Sequence, residues 1–244
     1  NFNLWNDVSP GRSGRTGGPN AAVCMTFVKP YICPSDINTT RLDRPRSGPG
    51  SAKNYAPGSY RAVSGASTGR CWFDTNQTNS FCRNNQGVLH HVAATPSPNN
   101  HLRRTGGRPD STPEKIANIL DGTSNTLMVG EMQTFTNNRR RTFWAYTYTS
   151  YNQSTITVGQ SRTLVGDYEK CRRIGGRYGS NPCKRGWGSF HPGVLQFCLA
   201  DGSVKGISET VDMGTWQSNT SVRSMGVLPA MASIQGGEVI SLEY

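Results

Sequence analysis

With 244 residues, 28 Gly, 14 Pro and only 34% apolar residues, the chain has room for a real core yet gives much of its length to loops. No run approaches the ~20 consecutive apolar residues that cross a bilayer, which excludes a spanning helix within these residues. The formal charge of +11, carried mainly by arginine, leaves polyanions open as partners, but no RRM, helix-turn-helix or zinc-finger pattern supports specific reading of nucleic acid.

The chain opens at Asn1 without an initiator Met, which is expected of a processed product or of a sequence that begins partway through a longer one. Gly11 to Pro19 has the composition of an extended surface segment, anchored by Phe2, Leu4 and Trp5. Val23 to Cys33 alternates well enough to predict a strand, broken at Pro30, before Pro34-Ser35-Asp36 turns the chain. Thr39 to Tyr60 is a long polar loop, and loops of this length inside a compact domain usually carry function or contact partners. Tyr60 to Gly69 predicts a strand, and Cys71 to Cys82 an Asn-rich surface loop. Gly87 to Ala94 predicts a short strand; its His90 and His91 point to opposite faces and make a poor chelate.

Ser111-Thr112-Pro113-Glu114 carries the signals of a helix start, with Ile116, Ile119 and Leu120 on one face and Asp121-Gly122 as its end. The loop that follows offers oxygen atoms in a tight arc. Asp121 and Asn125 could bind Ca²⁺ there, or the segment is an Asx or Ser/Thr turn, since it lacks the full EF-hand pattern. Thr126 to Glu131 predicts a strand. Phe143 to Tyr151, FWAYTYTSY, alternates aromatic and small polar residues and predicts another, with the core as its ordinary partner and sugar stacking as the sharper one. Gly175 to Gly179 is a loop and not a nucleotide fingerprint, because no strand and helix flank it.

The best-marked stretch is a β-meander. Gly186 to Phe190 predicts its first strand, His191-Pro192-Gly193 a turn, Val194 to Ala200 a covered central strand, Asp201-Gly202 a tight turn, and Ser203 to Ser208 the third strand. His191 and Asp201, near Ser189, resemble parts of a charge-relay site. Ten extended steps at about 3.3 Å each span roughly 33 Å, so the two belong to opposite ends of a strand. Gly236 to Ile240 predicts a final edge strand.

Six of seven cysteines fall into local pairs: Cys24 with Cys33, Cys71 with Cys82, and Cys171 with Cys183. Their spacings do not fit C-x2-C zinc ligation, so disulfides are expected, each contributing roughly 2–3 kcal/mol by loop closure. That chemistry belongs to the periplasm, the cell surface or the extracellular space. Cys198 is left as a packed thiol. The basic clusters are Arg139-Arg140-Arg141, Arg172-Arg173 with Arg177, Lys184-Arg185, and Arg103-Arg104 with Arg108. A solvated surface is their ordinary account and an anionic partner the sharper one.

Four segments in order carry a resemblance: Cys33-Pro34-Ser35-Asp36, Asn54-Tyr55 before a Gly-rich stretch, Ile119 to Glu131 (ILDGTSNTLMVGE), and His191 followed by nine residues and Asp201-Gly202. Together they resemble the planctomycete family of prepilin-type secreted proteins with an H-x9-D-G signature. The resemblance implies a pilin-like globular domain, a leader and apolar helix upstream, and a place in a pilus-like or secretion-related assembly of the cell envelope. Membrane contact would come only through that upstream helix.

The expected fold is α+β: a mainly antiparallel sheet with one short helix and long disulfide-pinned loops. We expect residues 1–244 to form one domain, loop-rich over 1–110, with helix, strands and meander over 111–244. No G-x-S-x-G elbow, Walker loop, H-E-x-x-H or catalytic dyad stands in the sequence, and no cofactor beyond the Ca²⁺ alternative is implied. The expected function is therefore non-enzymatic, as a structural subunit that assembles with itself or with other envelope proteins. The alternative is a secreted module that binds an acidic glycan or other polyanion.

Overall fold

The computed structural model describes residues 20–48, 50–68, 71, 80–90, 114–133, 139–146, 148–159, 184–216 and 222–236. Among them the strands are β1 (Pro57–Gly58), β2 (Tyr60–Ser67), β3 (Leu127–Glu131), β4 (Thr142–Phe143), β5 (Gln153–Thr157), β6 (Val194–Leu199), β7 (Val204–Ser208), β8 (Gly214–Trp216) and β9 (Val222–Met225). Four short helices accompany them: α1 (Asn20–Cys24), α2 (Ser80–Asn84), α3 (Thr149–Asn152) and α4 (Val227–Met231). The fold is α+β, with mainly antiparallel strands.

Five strands form the central sheet in the order β5-β2-β3-β6-β7. Every neighbouring pair is antiparallel except β2 with β5, which run parallel from Ala62↔Gln153 to Ser67↔Thr157. The alternation VLQFCL does as the sequence predicts: Leu195, Phe197 and Leu199 are buried, while Val194, Gln196 and Cys198 lie half-buried on the other face. The turn into β7 holds Gly202 at φ +86°, where a residue with a Cβ would be strained. Asp201 accepts hydrogen bonds from the backbone and hydroxyl of Ser203. A second glycine is dictated by packing, because a Cβ on Gly130 would collide with the rings of Phe197 and Trp187.

The main core joins Val63, Leu127, Ile156, Trp187, Leu195, Phe197 and Leu199 with Leu228 and Met231 of α4. Burying such side chains contributes about 1.5–3 kcal/mol each. A second cluster brings together Cys24, Tyr55, Phe143, Ala145, Tyr146 and Tyr151.

Several sequence expectations need correction. Val23 to Cys33 is no strand; α1 and a 3-10 turn at Lys29–Tyr31 occupy it, because Pro30 favours a turn start over a ladder. Cys24 and Cys33 are free thiols, since Cys24 packs into the aromatic cluster while Cys33 faces His191. Cys71 and Cys82 are bonded as expected. The helix after Pro113 shrinks to a 3-10 turn at Ile116–Asn118 without a side-chain cap, because Glu114 is engaged by His90 and Asn118. Of its expected apolar face only Ile119 is buried; Ile116 and Leu120 are exposed.

Gly186 to Phe190 makes a single bridge, Gly188 to Met132, in place of a strand. FWAYTYTSY is β-paired only at Phe143 and then turns into α3, so its aromatic rings gather in a cluster and do not line a sheet face. Strand β5, the β8–β9 hairpin and α4 were not expected. The pair Cys171 and Cys183, Arg172 and Arg173, His91, and most of the Gly236 to Ile240 strand lie outside the described residues.

Candidate functional site

Three of the four segments that carried the resemblance meet at one end of β3. Glu131 is the last residue of that strand, opposite Tyr60 at the start of β2. Its backbone carbonyl accepts from Gly188 N, and Gln133 N donates back to Gly188 O, which ties residues 188–191 to the strand end. His191 follows, its own N–H fixed on Ser189 Oγ at 2.9 Å. Cys33 arrives from the other side, in a turn closed by Asp36 N donating to its carbonyl.

The side chains converge. His191 Nε2 lies 3.1 Å from Glu131 Oε1 and 3.5 Å from Cys33 Sγ. All three donor atoms lie within 4.8 Å of one another. Glu131 Oε2 accepts from the backbone of Gln196 at 2.7 Å, which turns Oε1 towards the histidine. Glu131 is almost wholly enclosed, at 4% side-chain exposure, whereas His191 keeps 35%. The site is therefore walled by the sheet and open on the imidazole side. Burial pushes the Cys33 thiol up, and neighbouring Glu131 and Asp36 push in the same direction. Burial likewise raises Tyr60, with Cys33 and Glu131 adding to it. Asp36 braces the floor, its carboxylate accepting from Asn38 N and from the Ser59 hydroxyl at 2.9 Å.

This arrangement is not a charge relay. A relay needs one imidazole nitrogen for the nucleophile and the other for the orienting acid, but here a single nitrogen faces both sulfur and carboxylate. Asp201 caps its own hairpin beyond the far end of β6, fully exposed, with its carboxyl held below the usual range by the Ser203 hydroxyl and amide.

The other predicted site residues fall elsewhere. Asp121 and Asn125 close their own loop: Asn125 Nδ2 donates to Asp121 O, and Asp121 Oδ2 accepts from Gly236 N. The Arg139 to Arg141 run divides. Arg139 sits at φ +59°, Arg140 lies over the Tyr151 ring at 5.4 Å, and Arg141 pairs with Asp43 at 3.4 Å.

Sequence reasoning missed Arg61, fully buried in β2. Among the described residues its bonds go to Thr142 Oγ1, Ser154 Oγ and Arg140 O, all neutral. Burial first, then Arg185 and Arg140 nearby, lower it to about 9. A cavity of about 280 Å³ opens beside it, edged by Tyr31, Tyr60, Phe143 and Trp144. Sequence reasoning also missed the Cys33, Glu131 and His191 grouping, although each stands in a segment that carried the resemblance.

Residues 3–214 match the family described as "Protein of unknown function (DUF1559)". The chain belongs to that family. No curated protein and no solved structure matches it. Membership of the DUF1559 family names no activity, so a function for this chain rests on its own residues. Among the described residues, Cys33, Glu131 and His191 bring three potential ligand atoms within 4.8 Å of one another, and Arg61 is a second unusual feature.

Proposed function

We propose that this chain is a non-enzymatic structural subunit of an exported assembly at the cell envelope or outside the cell, with a pilin-like role as the resemblance implies. The observation that carries this reading is what the resemblance-bearing residues do. Asp36, Gly130, Glu131, His191 and Asp201 brace joints between the sheet and its neighbouring loops. The buried Cys71–Cys82 bond supports export, because such bonds persist where thiols are oxidised. The test is negative-stain microscopy with mass photometry on the protein purified from its native source. Ordered oligomers or filaments are expected, and a monodisperse monomer at all concentrations overturns the reading.

A second reading is a module that binds an acidic glycan. It draws on the cavity edged by Tyr31 and Trp144, whose rings are 5.8 Å apart, with Arg61 among its lining residues. Salt-sensitive retention on heparin that falls in Trp144→Ala would support it. Retention unchanged by that substitution would place the charge effect on the general basic surface.

A further inference from the structure

We propose that Cys33 Sγ, Glu131 Oε1 and His191 Nε2 form a three-ligand site for Zn(II), with the fourth position left to water or an incoming donor atom. The inference stands apart from the structural-subunit reading.

The spacing is the first ground. Zinc bonds of roughly 2.0–2.3 Å at tetrahedral angles set neighbouring donor atoms about 3.3–3.7 Å apart. The sulfur-to-nitrogen distance here is 3.5 Å and the nitrogen-to-oxygen distance 3.1 Å. The three donor atoms all lie within 4.8 Å of one another, so one ion could reach all three after side-chain adjustment.

The second ground is convergence. His191 Nε2 faces both Sγ and Oε1, and a divalent cation placed among them would engage all three atoms at once. On binding, the thiol proton leaves to solvent, sulfur coordinates as thiolate, and the neutral imidazole offers its Nε2 lone pair.

Orientation is the third ground. Glu131 is aimed by its second oxygen, Oε2, which accepts from Gln196 N, the kind of outer contact that fixes a ligating carboxylate, while backbone bonds of His191 to Ser189 and of Cys33 to Asp36 hold the two loops in place. A sulfur, nitrogen and oxygen set suits a borderline-soft ion and disfavours Ca²⁺ or Mg²⁺. The half-exposed imidazole leaves the entry path.

The experiment uses the full chain with Cys71–Cys82 intact, stripped by a chelator and titrated with Co(II), then displaced by Zn(II). One ion per chain and a thiolate-to-cobalt charge-transfer band are expected. Cys33→Ser should abolish the band while Cys198→Ser keeps it. His191→Ala should weaken Zn(II) at least about 100-fold, above the 10–100-fold typical of outer contacts. If Cys33→Ser does not fold, alkylation of the wild-type protein decides: Zn(II) should shield Cys33 from iodoacetamide and leave Cys198 labelling unchanged. Absence of Co(II) and Zn(II) binding, a band that survives Cys33→Ser, or Cys33 labelling unaffected by Zn(II) would each overturn the site.

Discussion

The core beneath β6 is built from Leu195, Phe197, Leu199 and Ile156 with Trp187, whereas the cluster around Tyr146 is built from phenol rings whose hydroxyls must find acceptors. In the first, shape holds nearly everything: Phe197 packs on Trp187 at 5.4 Å against the bare face of Gly130, and only Trp187 Nε1 makes a directed bond, to Thr155 O. In the second, Tyr146 donates to Ser47 O at 2.8 Å, Tyr55 donates to Gly50 O, and the Tyr151 hydroxyl accepts from Ser47 N. The aromatic cluster thus fastens the loop from 47 to 50, and the sheet core fastens the strands. One is held mainly by volume and the other by volume plus several directed bonds.

That contrast predicts different sensitivities. Phe197→Ala should be the most damaging single change, with about 3–5 kcal/mol lost in denaturant unfolding, because the rigid sheet cannot collapse into the gap. Replacing Cys71 and Cys82 together by Ser should remove about 3 kcal/mol by the loop-entropy estimate, read as a lowered denaturant midpoint. Tyr146→Phe should lose about 1–1.5 kcal/mol while the ring packing survives.

The smallest signal is the share of the alkaline pH dependence that Tyr55 carries. Burial, with Cys24 adding to it, pushes Tyr55 up to about 12, above the value of about 10 for an unfolded tyrosine. A folded-state value raised in this way gives stability that is complete below about pH 10 and lost as pH climbs towards 12. Unfolding midpoints measured across that window should fall for the wild-type protein and fall less steeply for Tyr55→Phe. An equal slope in both would show that Tyr55 is not responsible.

The sheet core was largely legible in the sequence. VLQFCLA followed by Asp-Gly states a central strand and a hairpin in the period-2 language that burial enforces, while TLMVGE and YRAVSGAS are legible as strands from their apolar and β-branched residues although their burial does not alternate throughout. Strand β5 was not legible, because QSTIT is polar yet wholly buried. Its hydroxyls are satisfied by neighbours: Thr155 donates to Cys71 O and shares a hydrogen bond with Ser67 Oγ, Thr157 bonds Ser67, and Ser154 accepts from Arg61. Buried hydroxyls with partners leave no hydropathy signal.

FWAYTYTSY misled for a related reason. Its alternation is real, but the acceptors on residues 47 to 50 and the turn after Phe143 decided its shape, and neither shows in a local window. The same limit hid the grouping at Glu131. Cys33 and His191 stand 158 positions apart, and only the register of β2, β3 and β6 brings them to one place.

The parallel pairing of β2 with β5 governs how the chain reaches this state. Strand β2 is synthesised early, but both of its lateral neighbours, β3 and β5, come from sequence made much later, and β3 in turn waits for β6. Until Glu131 has emerged β2 displays two bare hydrogen-bonding edges, and until Thr157 has emerged it still displays one, with a row of side chains destined for burial. Pairings of such long range form slowly and leave nascent strands open to wrong partners. The polypeptide therefore depends on being kept uncommitted while it is made, and its yield should respond more to a holding chaperone than to any local gain in strand propensity.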